Sequence, residues 1–184
     1  FNLSNKININ IDEVSLDKEN SLNNFTGNLS LKKNKIFDAS LSGKFSENKE
    51  FKLTIRKENN NKVTTLFIDK AEPIVKRYDF IKGFEGGKLD FYSTEVNKIS
   101  KSKLKIYDFK LKEMPALTKI LTLASLQGVA DILSGEGIRF DEFEMTFQNN
   151  GSLMTITEIY AIGPAISILM EGYIEKNELI SLRG

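Results

Sequence analysis

Three carboxylates, Asp141, Glu142 and Glu144, lie close enough in sequence to suggest a general acid and base pair. Alternation along a strand points elsewhere. Glu142 and Glu144 fall on one face and Phe143 and Met145 on the other, the pattern of a solvated edge beside a buried one. Gly135-Glu136-Gly137 is no phosphate loop, because no strand leads into it and no helix follows. Lys98, Lys101, Lys103 and Lys105 alternate with Ser and Ile near a turn. They could meet anionic lipid headgroups, although a solvated strand face is the simpler account. The chain has no His, Cys or Trp. That excludes thiol nucleophiles, disulfides, Cys/His zinc sites and Ser-His-Asp catalysis. The expectation is a non-enzyme that needs no cofactor and no metal.

The 184 residues suit one large domain or two small ones. Lys and Arg number 26 against 25 Asp and Glu, a net charge of +1, so broad electrostatic capture of nucleic acid is not expected. Apolar residues make up 40% of the chain, enough for a substantial core. The bias to 22 Lys over 4 Arg, with 17 Asn, is that of an AT-rich genome and carries no function. No uncharged run approaches the roughly 20 apolar residues that a spanning helix needs, and no stretch of these residues reads as a signal peptide. A chain that opens on Phe1 and closes on Leu182-Arg183-Gly184 reads as a fragment of a longer parent.

The elements that must position any site are mostly strands. Leu3, Ile7, Ile9 and Ile11 share one parity, as do Phe37, Ala39, Leu41, Gly43 and Phe45, then Phe51, Leu53 and Ile55. Asn23-Asn24, Lys32-Lys33-Asn34, Ser46 to Lys49 and Asn59-Asn60-Asn61 read as short turns, which predicts an antiparallel meander over residues 1–68. Ile74, Val75, Tyr78 and Ile81 then draw a helical stripe, with Pro73 in its first turn and Gly83 and Gly86-Gly87 closing it. Strands follow near Leu89 and from Lys103 to Leu111. A longer helical pattern begins at Pro115, kinks near Ala124-Ser125 and ends at Ser134 to Gly137. Further strands run over 139–148, 152–161 and 165–175, around an Asn149-Asn150-Gly151 hairpin and a Gly163-Pro164 turn. The chain divides into a meander (1–68), a helix-strand unit (69–102) and a final unit (103–184), all within a single fold.

An internal echo sets Gly86-Gly87-Lys88-Leu89-Asp90-Phe91 against Gly135-Glu136-Gly137-Ile138-Arg139-Phe140. It is either a repeating unit that extends a groove or the common use of glycine between helix and strand. The balance of elements says more. Two short helical segments cannot cover the apolar faces of about ten strands. The strands therefore either close into a barrel or sandwich or leave an apolar trough, which would suit an acyl chain.

The segment from Leu104 through Asp108-Phe109, Met114-Pro115-Ala116-Leu117, Ala124-Ser125-Leu126 and Gly135-Glu136-Gly137-Ile138-Arg139-Phe140-Asp141 resembles the AsmA-like C-terminal region of AsmA/TamB/YhdP-type bacterial envelope proteins. The likeness continues in Asn150-Gly151-Ser152-Leu153, Ala161-Ile162-Gly163-Pro164-Ala165 and Met170-Glu171-Gly172, and upstream from Tyr78 to Leu89. The first third matches only in strand style. The resemblance implies a long curved sheet with a hydrophobic inner groove, on the periplasmic side of the cell envelope, in a parent anchored in the inner membrane. It also implies phospholipid transport and outer-membrane biogenesis, and it supplies no catalytic motif.

The resulting expectation is a mostly β fold: a twisted, open antiparallel sheet forming a hydrophobic groove, with short helices packed on or plugging its concave side. Leu104, Ile106, Met145, Phe147, Ile166, Ile168 and Met170 are the expected groove-lining residues. The expected partners are phospholipid acyl chains, and membranes through other parts of the parent. The alternative is an assembly module that pairs its sheet edge with strands of outer-membrane proteins.

Overall fold

Period-two alternation of apolar and polar residues sets most of the chain into strands, and short polar turns pair each strand with the next. The computed structural model describes residues 4–33, 35–77, 83–112, 137–175 and 180–184. Its strands are β1 (Ser4–Ser15), β2 (Ser21–Lys32), β3 (Lys35–Lys44), β4 (Glu50–Glu58), β5 (Asn61–Ile68), β6 (Phe84–Val96), β7 (Ile99–Leu111), β8 (Ile138–Asn150), β9 (Leu153–Ile162), β10 (Ser167–Glu175) and β11 (Ile180–Arg183). All eleven join one sheet whose spatial order is the chain order. Every neighbouring pair is antiparallel. The fold is thus mostly β, with β1 and β11 as the edge strands among the described residues, an open sheet and not a barrel. Pairing continues without a break through the segments 1–68, 69–102 and 103–184.

Several local features differ from the sequence expectation. Asn23-Asn24 is not a turn. Both residues lie inside β2, where the register against β3 shifts between Asn23 and Thr26 and Asn24 takes φ 50°. Asparagine tolerates the left-handed region, so it serves a bulge as readily as a turn. The true turn spans residues 16–20, where Asp17 Oδ1 accepts hydrogen bonds from the amides of Glu19 and Asn20 at 2.8 Å each. Those bonds, the Glu19 amide first, hold the Asp17 carboxyl below its ordinary range. Gly86-Gly87 does not close a helix either, since it lies within β6. The short strand β11 has no counterpart in the sequence expectation.

Helix α1 (Glu72–Arg77) begins where expected, with Pro73 in its first turn. Glu72 at its start and Lys76 and Arg77 at its end complement the helix dipole. The ammonium of Lys76 donates to Glu72 at 2.6 Å, one turn away. Glu72 also accepts the Gly86 amide at 2.7 Å, tying α1 to β6. Burial pushes the Glu72 carboxyl up, but the bonds from Lys76 and Gly86 outweigh it and hold the group below its usual value. Val75 and Ala71 join Ile68, Phe84 and Leu89 in the main apolar cluster, so α1 packs on the apolar face of the sheet. The rest of the expected stripe, Tyr78 and Ile81, and the long helical pattern from Pro115 lie outside the described residues.

The register also revises the echo. Phe84 opposes Leu111, and Leu111 opposes Ile138. The equivalent steps are therefore Gly83-Phe84 and Gly137-Ile138, each a glycine at positive φ (66° and 81°) leading into a strand.

Candidate functional site: the apolar face of the sheet

Because the register holds across many strands, side chains of one parity line up in rows across the sheet. One row runs Ile11, Phe25, Gly43, Phe51, Ile68, Leu89, Ile106, Phe143, Ala161, Ile168, one residue from each of β1 to β10. Its single register gap, at the β2 bulge, is bridged by the Phe25 ring, which lies against Gly43 and 6.0 Å from the Phe51 ring. A second row, two residues along each strand, runs Ile9, Gly27, Leu41, Leu53, Leu66, Phe91, Leu104, Met145, Ile159, Met170. At ~4.8 Å between strands each row extends about 43 Å, longer than the ~30 Å hydrocarbon core of a bilayer. A third row becomes polar in its centre, at Thr64, Ser93 and Ser102, where Ser102 Oγ donates to Ser93 Oγ at 2.9 Å.

The opposite parity is polar. Thr26 and Ser42 hydroxyls meet at 3.4 Å, and Thr54 and Thr65 hydroxyls also bond across strands. Lys103 reaches Glu144 at 2.5 Å, while Lys105 reaches Glu144 at 2.7 Å and Glu142 at 3.4 Å. The two lysine hydrogen bonds hold the Glu144 carboxyl below its usual value, and the bond to Glu144 raises the Lys105 ammonium above its own. The carboxylates that first suggested acid and base chemistry therefore stand in an ion-paired lattice on the polar face. Among the described residues no group of three or more His, Cys, Asp or Glu could hold a metal, and no helix is long and apolar enough to cross a membrane.

Near α1 the apolar face deepens into a recess of about 210 Å³ walled only by apolar side chains, among them Ile106, Phe143, Ala161, Ile168 and Met170. Its floor includes three rings. Phe84 stacks on Phe109 at 5.3 Å between centroids, and Phe109 stacks on Phe140 at 5.2 Å. Strict alternation would send Phe109 to the opposite face from Ile106. The backbone flips between them, with Asp108 at φ 52° and Gly87 on the neighbouring strand at φ 81°. A Cβ at Gly87 would stand 3.0 Å from the Phe84 ring and 3.2 Å from Phe109 Cβ, so only glycine fits where the rings converge. At this volume the recess is smaller than the ~300–1,000 Å³ of a typical small-molecule site. Its size and wholly apolar lining match a short stretch of hydrocarbon.

All seven residues expected to line a groove sit on this face. Leu104 and Met145 are direct cross-strand partners, Ile106 opposes Phe143, Ile168 opposes Ala161, and Met170 opposes Ile159. Phe147 is buried in a second cluster with Ile156 and Ile159. Ile166 precedes β10, packs on the main cluster, and accepts the Gly163 amide through its carbonyl at 2.9 Å. Ile106, Ile168 and Met170 wall the recess. Sequence reasoning missed the Phe84-Phe109-Phe140 stack, whose only signal is the interruption at Gly86-Gly87 and Asp108. It also missed the N-terminal halves of both rows, although Phe51, Leu53, Leu66 and Ile68 carry the same alternation. No protein-family model, curated protein or solved structure matches the chain.

Proposed function

We propose that the chain is a non-enzymatic lipid-binding and transfer segment that shields phospholipid acyl chains along the apolar face of its sheet. The observation that carries this reading is the pair of apolar rows crossing ten strands, backed by a polar lattice on the other side. Each methylene moved from water onto such a surface contributes about 0.8 kcal/mol. A row of about 43 Å exceeds the ~15 Å depth of one leaflet, so several lipids fit in file. Together with the AsmA-like resemblance, this favours a role between the inner and outer membranes of a bacterial envelope, in support of outer-membrane biogenesis.

The test is native mass spectrometry of the chain after exposure to a phospholipid extract, paired with a vesicle-to-vesicle transfer assay. Ile168→Asp places a charge in the first row and is expected to abolish bound lipid and transfer while circular dichroism stays that of a β protein. Leu169→Asp, on the polar face and 64% exposed, is expected to change neither. Normal transfer by Ile168→Asp would remove the face from the mechanism.

A second reading rests on the outer edge of β1, which among the described residues pairs only with β2. Such an edge could take up a strand of an outer-membrane protein. That activity would survive Ile168→Asp, which separates the two readings.

A further inference from the structure

At the end of the sheet away from α1, the same face carries a basic cleft. Lys57 opposes Lys62 across β4 and β5, and Lys32 opposes Lys35 across β2 and β3. Like charges directly opposite on a sheet repel, and here two such pairs adjoin. Phe37 has no partner in the β2–β3 register, which steps from Leu31-Ile36 to Ser30-Asp38. Its ring is 41% exposed, with the Lys57 ammonium 5.5 Å and the Lys32 ammonium 5.8 Å from its centroid. The cleft, about 370 Å³, is lined by Lys35, Ile36, Phe37, Lys57, Lys62 and Glu95, together with Asn60 and Asn97. Three lysines of the lining, with Lys32 over the Phe37 ring, thus share the cleft with one carboxylate, Glu95, which stands opposite Lys62 across β5 and β6. Among the described residues, no carboxylate lies within ion-pair distance of Lys35, Lys57 or Lys62.

We infer that this cleft binds the phosphate of an anionic phospholipid headgroup whose acyl chains lie on the apolar rows. The inference rests on the lipid reading above and specifies its ligand. Lysines are point-charge phosphate binders, and a phosphodiester between two repelling pairs relieves both. Position along the strand supports the assignment. Lys57 shares its face with Ile55 and Leu53, and Lys62 with Thr64 and Leu66. At ~3.4 Å per residue the phosphate would sit about 7 Å from the mixed row and about 14 Å from the apolar one. A glycerol linker crosses the hydroxyl-bearing Thr64 and Ser93 before the chains reach Leu66 and Phe91.

The experiment compares the intact chain with Lys57→Gln/Lys62→Gln in co-sedimentation with phosphatidylglycerol vesicles, with phosphatidylcholine vesicles, and in titration with inorganic phosphate. The wild type is expected to favour phosphatidylglycerol, and to lose that preference as salt rises from about 0.05 to 0.5 M. The double variant should bind phosphatidylglycerol about tenfold more weakly, the worth of one charge-assisted hydrogen bond. It should keep its phosphatidylcholine binding and melt no lower than the wild type, because a repelling pair has been removed. Equal binding of both vesicles by the wild type, or an unchanged double variant, overturns the headgroup site while leaving the lipid reading intact. Phosphate binding without vesicle binding overturns the lipid as its source. Failure of all vesicle binding together with an inert Ile168→Asp would fall on the underlying lipid reading.

Discussion

Glu144 shows how a single residue can mislead a chemical search and still matter. Its carboxyl is 15% exposed and held by Lys103 and Lys105, an arrangement that stabilises the sheet and has no proton to trade near neutrality. Because the hydrogen bonds lower its pKa below the ordinary 4.5, the folded state binds fewer protons there than the unfolded chain. The stabilisation is therefore complete above about pH 4.5 and is lost as pH falls through the lower folded value. Glu144→Gln should cost about 1 kcal/mol at pH 7, and the cost should shrink as the pH is lowered below the ordinary carboxylate range, read from urea unfolding across that range. That Glu142 and Glu144 share a solvated face was legible in the sequence from alternation with Phe143 and Met145. Their lysine partners were not, because the partners come from a different strand and depend on register.

At the scale of elements, alternation made most strands legible and the polar turns ordered them. Within β2, β6 and β7 the reading failed at residues that adopt positive φ. Asn24 bends β2 without ending it, and Gly87 with Asp108 turns the parity of β6 and β7. A period-two pattern cannot announce such a flip, since one residue out of phase moves every later side chain to the other face. The aromatic stack of Phe84, Phe109 and Phe140 was hidden for this reason. Gly87→Ala tests the geometry. It should lower stability by about 1–3 kcal/mol in denaturant titration, from the left-handed backbone and the crowding against Phe84. An unchanged unfolding midpoint would show that the flip is not needed to seat the rings.

For the whole molecule, the meaning lies in register that persists. Separate hairpins each with an apolar side would make patches; ten strands in consecutive register make two rows about 43 Å long. The polar lattice behind them and the lysine cleft at one lip give the sheet three zones, which the proposed function assigns to water, to a lipid headgroup and to its acyl chains. Strand order and the amphipathic character of the sheet could be anticipated from the sequence, whereas the continuity of the rows required coordinates. The most direct measurement is photocrosslinking of the intact chain with phosphatidylglycerol carrying a photoreactive group in its acyl chain, followed by mass-spectrometric mapping of the adducts. Adducts at Leu104, Met145, Ile168 and Met170 are expected, and adducts confined to the polar face, at Tyr160 or Leu169, would contradict the claim that this sheet shelters acyl chains.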